Sequence, residues 1–244
     1  MQIYMAILTN LLFIVIGYLI GSINLSILLG KYFFKKDLRD FNSKNAGSTN
    51  AKRVYGKMFG TFILIADIIK PIIVITLSYG IAKLINNSIE LNVSTSNAFV
   101  VSNQIYGKLI LIPTLGGFSV LLGHIFPVFH KFKGGKGVAN FVGLLLCINV
   151  IAFLVFVIMY FGVLYIKKYV SLASITASFV SSISLFTPWM ITGPLGIFNN
   201  ISSSSYYIVI PLITLLLAFL IIYFHKPNIL RMKNKTEPKI NIKR

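Results

Sequence analysis

The sequence has few charged residues, and acidic residues are the scarcest of them. Charged side chains make up 11% of the 244 residues, with 5 Asp and Glu against 23 Lys and Arg. A soluble domain carries about 25% charged residues, so this composition is too apolar to cover a water-exposed surface. The apolar runs are continuous rather than alternating, which excludes a barrel of amphipathic strands. The sequence therefore predicts an all-α integral membrane protein forming a single domain over residues 1–244.

Cysteine is almost absent as well, because Cys147 is the single one and it lies in an apolar run. One cysteine excludes an intramolecular disulfide and a cysteine-based metal site. No group of His, Cys, Asp and Glu has the spacing of metal ligands, so we expect no metal and no cofactor. The N-terminus lacks a basic region and a cleavage site, and we interpret residues 1–30 as a retained transmembrane helix.

The apolar runs predict about seven transmembrane helices and a tail over residues 225–244. The expected helices are 4–30, 58–85, 108–130, 138–148, 150–166, 170–187 and 206–224. Most Lys and Arg fall in loops 31–57, 131–137 and 167–169 and in the tail, which places all four on the cytoplasmic side. This arrangement puts the N-terminus outside and the C-terminus in the cytoplasm. It also explains the net charge of +18 without nucleic acid as a partner.

Residues 138–166 must cross the membrane twice if the four basic segments are to share one side. One span needs about 20 residues, so this stretch is too short for two ordinary spans. We expect two short helices, 138–148 and 150–166, with a turn near Asn149 and a locally thin membrane region beside them. A re-entrant segment is the alternative.

The first loop contains many small hydrogen-bonding residues. Residues 43–50 read SKNAGSTN and are called the serine loop; Arg53 follows one helical turn later. Such residues present N–H and O–H donors to an anion, and an arginine offers a planar fork to a phosphate. The alternative is an ordinary loop whose Ser and Asn side chains cap the next helix.

A second motif, KGGKG, covers residues 133–137 and is called the glycine loop. It leads directly into an apolar helix, whose N-terminus attracts anions. The pattern is not a P-loop, because the spacing differs and Val138 stands in place of Ser or Thr. A phosphate cradle explains the glycines around Lys136, whereas a positive-inside loop with glycine turns explains only the lysines.

Other polar residues lie in or beside the apolar runs. Asp67 and Lys70 can pair at i,i+3 inside a span, either to fix helix packing or to serve a site. His124 near a helix end has the same two interpretations, and Ser171 either caps a helix or contacts a ligand. The basic tail fits attraction to anionic lipids. With so few carboxylates, no general base can be nominated.

These motifs resemble the bacterial acyl-phosphate:glycerol-3-phosphate acyltransferase family. The matching stretches run in the family's order from about residue 17 to 240: GSINLSILLGK, NSKNAGSTNAKRVYGKMFG, GHIFPVFHKFKGGKGVA, KKYVSLASITAS and HKPNI…TEPKI. The resemblance implies a multi-pass enzyme of the bacterial plasma membrane with its active site at the cytoplasmic face. It would transfer an acyl group from acyl phosphate to the 1-hydroxyl of glycerol 3-phosphate, giving lysophosphatidic acid and inorganic phosphate. Contact with the enzyme that produces acyl phosphate is also implied.

The resemblance also assigns roles by position. The catalytic residues would be Ser43, Arg53 and Lys136. The substrate-binding residues would be Asn45, Gly47, Thr49, Asn50, His124, Lys133, Gly134, Gly135, Gly137, Ser171, His225 and Asn228.

The chain departs from the family pattern in its tail, where Pro227 replaces a glutamate that Glu237 would have to supply. An organic-phosphate transporter or a non-catalytic lipid-handling protein is the alternative function, and a purely structural subunit would leave the glycines unexplained.

Overall fold

The computed structural model describes residues 2–95, 111–192 and 208–240, and every regular element in these ranges is helical. The helices are α1 (Gln2–Ser22), α2 (Leu25–Phe34), α3 (Ser48–Tyr55), α4 (Lys57–Thr95), α5 (Thr114–Ile125), α6 (Val138–Ile148), α7 (Val150–Lys167), α8 (Val170–Ser184), α9 (Pro188–Thr192), α10 (Val209–Phe224) and α11 (Lys226–Lys233). Short 3₁₀ turns cover Leu38–Asp40 and Val128–His130.

The first predicted helix is interrupted near its C-terminal end, between α1 and α2. Asn24 caps α2, since its side-chain oxygen accepts from the backbone N–H of Ile27 at 3.3 Å. The hydroxyl of Ser26 donates to the carbonyl of Ala46 at 2.9 Å, and the Asn24 amide reaches the same carbonyl at 3.4 Å. The break therefore gives the serine loop a buried anchor on the helix that precedes it.

Glycines allow α1 and α5 to pack closely. A Cβ added at Gly21 would lie 2.1 Å from the carbonyl oxygen of Val120, and one at Gly123 would lie 2.2 Å from that of Tyr18. Real Cβ atoms cannot occupy such positions, so only glycine permits this backbone contact. The contact sets His124, the next residue of α5, close to the break between α1 and α2.

Helix α4 is longer than expected, because it continues to Thr95 where the sequence predicted a loop from residue 86. It contains Pro71, which has no N–H for the carbonyl of Asp67 four residues earlier. Here α4 also approaches α6, since a Cβ at Gly143 would lie 2.0 Å from the carbonyl oxygen of Ile68.

The chain breaks between α6 and α7 at Asn149, the position where a turn is expected. The Asn149 side chain caps α7 by accepting from the N–H groups of Ile151 and Ala152 at 2.7 and 3.2 Å. Its amide donates to the carbonyl of Met190 in α9, a helix in a region predicted to be a loop. Helix α6 has 11 residues and is short as expected, but α7 has 18 residues and is long enough for a span.

The apolar helices suit a membrane. Among the described residues, three stretches are long and apolar enough to cross it: Ile3–Phe34, Lys57–Asn87 and Val150–Lys167. A fourth candidate is the pair Val209–Phe224 and Lys226–Lys233, bent by 52°. Only 11% of the α7 segment is buried inside the protein, so most of its side chains face outward with their apolar groups toward lipid. The main core lies among α5, α6, α8 and α10, and the inner face of α7 joins it through Ala152 and Phe156.

The C-terminal segment was predicted as a tail over residues 225–244, and its described part packs against the rest of the protein. After α11 the chain returns to the start of α8, where the N–H of Ile240 donates to the carbonyl of Lys168 at 2.9 Å. Glu237 is buried in this segment at 8% exposure. The segment thereby closes one side of the cavity described next.

Candidate functional site

A cavity of about 380 Å³ opens where the serine loop, the glycine loop, the start of α8 and the C-terminal segment meet. It contains most of the predicted site residues. Those that line it are Ser43, Asn45, Gly47, Thr49, Asn50, Arg53, His124, Lys136, Gly137, Ser171, His225 and Asn228. Lys133, Gly134 and Gly135 are not among the lining residues.

The other side of the cavity is apolar and lies between α4, α6 and α7. Its lining includes Leu64, Val142, Phe153, Phe156 and Tyr160. The rings of Phe156 and Tyr160 are stacked with their centroids 5.9 Å apart. Because α7 is largely uncovered by protein, this apolar side adjoins the lipid-facing surface. The cavity can therefore hold a molecule with one polar and one hydrocarbon end.

In the serine loop, the side chain of Asn50 forms hydrogen bonds with the backbone of the protein. Its amide nitrogen donates to the carbonyls of Leu38, Phe41 and Asn45, each at 3.1 Å. Its oxygen accepts from the N–H of Ser43 at 3.4 Å. We therefore interpret Asn50, expected to bind substrate, as the residue that holds the loop in shape.

Unlike Asn50, the side chain of Arg53 is not held by hydrogen bonds in the described structure. It lies on α3, is exposed to solvent, and makes no hydrogen bond or ion pair with the part of the chain that the structure describes. A guanidinium group without partners at a cavity wall keeps its planar fork available for an anion.

The glycine loop packs against the end of α5. The N–H groups of Gly134 and Gly135 donate to the carbonyls of Ile125 and His124 at 3.2 and 3.0 Å. A Cβ at Gly135 would lie 2.0 Å from Nε2 of His124. Gly137 adopts a φ of 81°, which favours glycine, immediately before α6. The glycines thus shape the backbone so that Lys136, rather than Lys133, lines the cavity.

Lys136 belongs to a chain of hydrogen bonds with the C-terminal segment. Its Nζ donates to Oδ1 of Asn228 in a short contact. The Asn228 amide donates to Ser171 Oγ and to Glu237 Oε1, both at 2.7 Å. Ser171 Oγ donates to Glu237 Oε1 at 2.6 Å, and Arg231 Nε donates to Glu237 Oε2 at 2.7 Å. Ser171 therefore contacts a side-chain network and is not a helix cap, since Tyr169 occupies that position without a side-chain hydrogen bond.

Burial and neighbouring charges alter two ionisable groups of this network. Burial lowers the pKa of Lys136 to about 8; the Glu237 carboxylate opposes this shift, and Arg231 and Arg53 add to it. Burial alone would raise the pKa of Glu237, but hydrogen bonds from Ser171, Asn228 and Arg231 lower it below its usual value. Glu237 is therefore ionised at neutral pH, and Lys136 is a cation close to its titration point.

Three further ionisable residues lie close together beside the cavity. Asp67 Oδ1 accepts from Lys70 Nζ at 2.9 Å, and Lys70 Nζ also donates to the carbonyl of Ile23 at 2.7 Å. Nδ1 of His124 lies 3.6 Å from Asp67 Oδ1, which is too long for a hydrogen bond. Asp67 and His124 line the cavity. The Asp67–Lys70 ion pair therefore fixes helix packing and also borders the site through Asp67.

His225 joins α10 to α11 and is 3% exposed. Its Nδ1 lies 2.7 Å from the carbonyl of Ile221. A carbonyl only accepts, so Nδ1 carries the hydrogen and Nε2 of a neutral ring is left as an acceptor.

Several lining residues were not predicted as site residues. They include Ser48, Asp67, Ser174, Glu237 and Pro238, together with the apolar residues of α4, α6 and α7. The scarcity of acids was the signal for Asp67 and Glu237, because a chain with 5 carboxylates places few of them inside without a purpose. The apolar residues carried no signal, since the predicted transmembrane helices are apolar along most of their length.

Comparison with known proteins indicates the family of the chain. The model of the family described as "Glycerol-3-phosphate acyltransferase" matches residues 11–235. The chain belongs to the glycerol-3-phosphate acyltransferase family. A relative from Mycoplasmopsis agalactiae, named glycerol-3-phosphate acyltransferase, is 39% identical over 253 residues, covering 100% of this chain and 99% of the relative. Another relative, glycerol-3-phosphate acyltransferase 2 of Bacillus cereus, is 34% identical, with 96% of each chain covered.

Two solved structures have the same fold. Both are crystal structures of PlsY (YgiH), an integral membrane glycerol 3-phosphate acyltransferase. The glycerol 3-phosphate form is 28% identical to this chain with a TM-score of 0.68, and the match covers 95% of this chain and 96% of PlsY. The lysophosphatidic acid form is 27% identical with a TM-score of 0.66, covering 95% of each.

Proposed function

We propose that this protein transfers an acyl group from acyl phosphate to the 1-hydroxyl of glycerol 3-phosphate. The products would be lysophosphatidic acid and inorganic phosphate, at the entry to phospholipid synthesis. The observation that carries this proposal is the two-sided cavity, in which Arg53 and Lys136 line a polar end while Phe153 and Phe156 line an apolar end. Each substrate bears a phosphate, and one of them also bears a hydrocarbon chain.

The charges of the cavity suit two phosphates. Each phosphate carries up to about −2 near neutral pH. Ser43, Asn45 and Thr49 would bind one of them together with Arg53, and Lys136 with the N-terminus of α6 would bind the other. Gly47 leaves room for the Asn45 side chain, since a Cβ there would lie 2.8 Å from the Asn45 amide nitrogen. Lys133, Gly134 and Gly135 act indirectly in this proposal, by placing Lys136.

The proposed reaction is a direct displacement. The 1-hydroxyl oxygen attacks the acyl carbonyl carbon, and the bond from that carbon to the phosphate oxygen breaks. Asp67 is paired with Lys70, and Glu237 accepts three hydrogen bonds. Because both carboxylates of the cavity are engaged, the departing phosphate is the group that receives the hydroxyl proton. Lys136 stabilises the negative charge on that phosphate.

We further propose a seven-span topology with the N-terminus outside and the site at the cytoplasmic face of a bacterial plasma membrane. The three long stretches and the bent pair supply four spans, and three shorter apolar helices supply the rest: Thr114–His130, Val138–Ile148 and Val170–Ser184. The basic loops lie on the side of the cavity, as expected for cytoplasmic segments. The enzyme that produces acyl phosphate could deliver its product at this face.

Product analysis tests the proposed reaction. Purified protein in lipid would receive palmitoyl phosphate and glycerol 3-phosphate, and the products would be identified by mass spectrometry. We expect lysophosphatidic acid only when both substrates are present, and none when palmitoyl-CoA replaces palmitoyl phosphate. Equal product from palmitoyl-CoA would contradict the proposed donor. Uptake of glycerol 3-phosphate into vesicles without product would favour a transporter.

A further inference from the structure

The first cytoplasmic loop contains an ion pair that the proposed reaction does not use. Asp37 accepts from Arg39 through both carboxylate oxygens, with Oδ1 at 3.0 Å from Nε and Oδ2 at 2.8 Å from Nη2. Oδ1 also accepts from the backbone N–H of Arg39 at 3.0 Å. This two-point contact holds the guanidinium plane in one orientation. The hydrogen bond from Arg39 lowers the pKa of Asp37 well below its usual range, so the carboxylate stays ionised.

The remaining nitrogen of Arg39 reaches a segment that lies far away in sequence. Nη1 donates to the carbonyl of His130 at 2.9 Å and to the carbonyl of Lys133 at 3.2 Å. Lys133 is the first residue of the glycine loop, and His130 ends the 3₁₀ turn before it. All three guanidinium nitrogens are therefore engaged, two by Asp37 and one by the backbone near the glycine loop.

The same turn is joined to the serine loop. Asn50 donates to the carbonyl of Leu38, between Asp37 and Arg39, and to that of Phe41 just beyond them. Leu38 is fully buried and packs with Ala51 of α3 and Ile63 of α4. A path of short contacts thus runs from the serine loop through Arg39 to the glycine loop.

We propose that Arg39, oriented by Asp37, is a positioning residue that fixes the separation between the serine loop and the glycine loop. The inference rests on the proposed function, in which these loops bind the two reacting phosphates. Arg39 does not line the cavity, so its effect is on geometry alone. Geometry matters most when both substrates are bound, because the attacking hydroxyl must then meet the acyl carbon.

Kinetics of Arg39→Lys and Arg39→Ala test this inference. Lysine keeps the positive charge but cannot form the several directed hydrogen bonds of the guanidinium group, and alanine loses both. We therefore expect kcat to fall in both variants. A misplacement of about 1 Å can cost roughly 10²-fold in rate, and we expect about that loss for Arg39→Ala with KM for each substrate changed less than about threefold. Ethylguanidinium added to Arg39→Ala should recover part of kcat, which a globally damaged protein would not show.

Lys31→Ala is the matched control. Lys31 also contacts Asp37, with Nζ at 3.1 Å from Oδ2, but its side chain is 56% exposed and has no contact with the glycine loop in the described structure. Removing it leaves the bridge from Arg39 intact, so kcat should stay close to that of the wild type. An effect of Lys31→Ala as large as that of Arg39→Ala would indicate a general charge effect and overturn the inference.

Hydrogen exchange provides a readout that is independent of turnover. In Arg39→Lys, amides in peptides covering residues 36–50 should exchange faster than in the wild type, while those of α4 and α5 keep their protection. Unchanged kcat and unchanged exchange in Arg39→Lys would overturn the positioning role while leaving the proposed function standing. A wild-type protein without turnover would instead overturn the proposed function, and exchange alone would then decide whether Arg39 joins the two loops.

Discussion

The two cations of the cavity differ in how the protein holds them. Arg53 is exposed and has no hydrogen-bond or ion-pair partner among the described residues, whereas Lys136 is partly buried and donates to Asn228. The network beyond Lys136 ends at Glu237 and Arg231, so its position depends on a segment 92 residues away. Arg53 can therefore adapt its position to a bound anion. Lys136 is held in position before a substrate binds, and it can lose its charge near neutral pH.

The largest expected effect is that of Lys136→Ala. This variant removes the donor that would stabilise the leaving phosphate, and losing one such donor typically costs about 10²–10³ in rate. Steady-state phosphate release measures the loss, and size-exclusion behaviour in detergent checks folding. Lys233→Ala is the control, because Lys233 is an exposed lysine of α11 outside the cavity and its loss should leave turnover unchanged. Near-wild-type turnover by Lys136→Ala would refute its role.

Arg53→Ala should lose most activity too, by about 10², but with a different pattern. Because Arg53 is adaptable, we expect Arg53→Lys to retain more activity than Arg53→Ala, with KM raised for one substrate. Measuring KM separately for acyl phosphate and glycerol 3-phosphate would show which phosphate Arg53 binds. Equal activity of the wild type, Arg53→Ala and Arg53→Lys would mean that Arg53 lies at the cavity without contacting substrate.

Glu237→Gln should have a smaller effect, roughly tenfold, corresponding to the loss of a charged hydrogen bond of about 1.5 kcal/mol. Its carboxylate raises the pKa of Lys136, so glutamine should lower that pKa further and shift the alkaline limb of the rate profile to lower pH. A pH profile of kcat/KM for both proteins measures this shift. An unchanged limb would show that Glu237 only fixes the C-terminal segment.

The smallest effect expected is the pH dependence of the wild type. Lys136 has a pKa of about 8 in the free protein, so its positive charge, and with it kcat/KM, should decline as pH rises through 8. Bound phosphates favour the charged form, so the limb of kcat should lie at higher pH than that of kcat/KM. An arginine side chain keeps its positive charge throughout this range. Lys136→Arg, if active, should therefore lose the limb, and a limb that persists would have to come from another group.

Sequence reasoning was most successful where a local pattern determines the structure. Long apolar runs indicated helices and a membrane, and the KGGKG motif indicated that Lys136 meets a helix N-terminus. The turn at Asn149 followed from the arrangement of basic loops. The predicted end of α4 was ten residues too early, because the polar residues after residue 85 were interpreted as a loop although the helix continues through them.

Contacts between distant segments were the part that sequence could not supply. No local sequence pattern indicates that Asn228 accepts a hydrogen bond from Lys136 or that Ser171 donates one to Glu237. Nor does any indicate that the Asn50 amide donates to backbone carbonyls. The basic residues near the C-terminus suggested attraction to lipid, yet Arg231 there holds a buried carboxylate. Such pairings depend on how α8, α10 and α11 pack, which their local sequence patterns leave undetermined.

The most direct test of the proposed reaction is phosphate release by wild type and Lys136→Ala side by side, with palmitoyl phosphate and glycerol 3-phosphate given singly and together. We expect release by the wild type only when both substrates are present, and loss of nearly all of it in a folded Lys136→Ala protein. Release that does not need glycerol 3-phosphate, or equal release by the two proteins, would contradict the claim that the substrates react in this cavity.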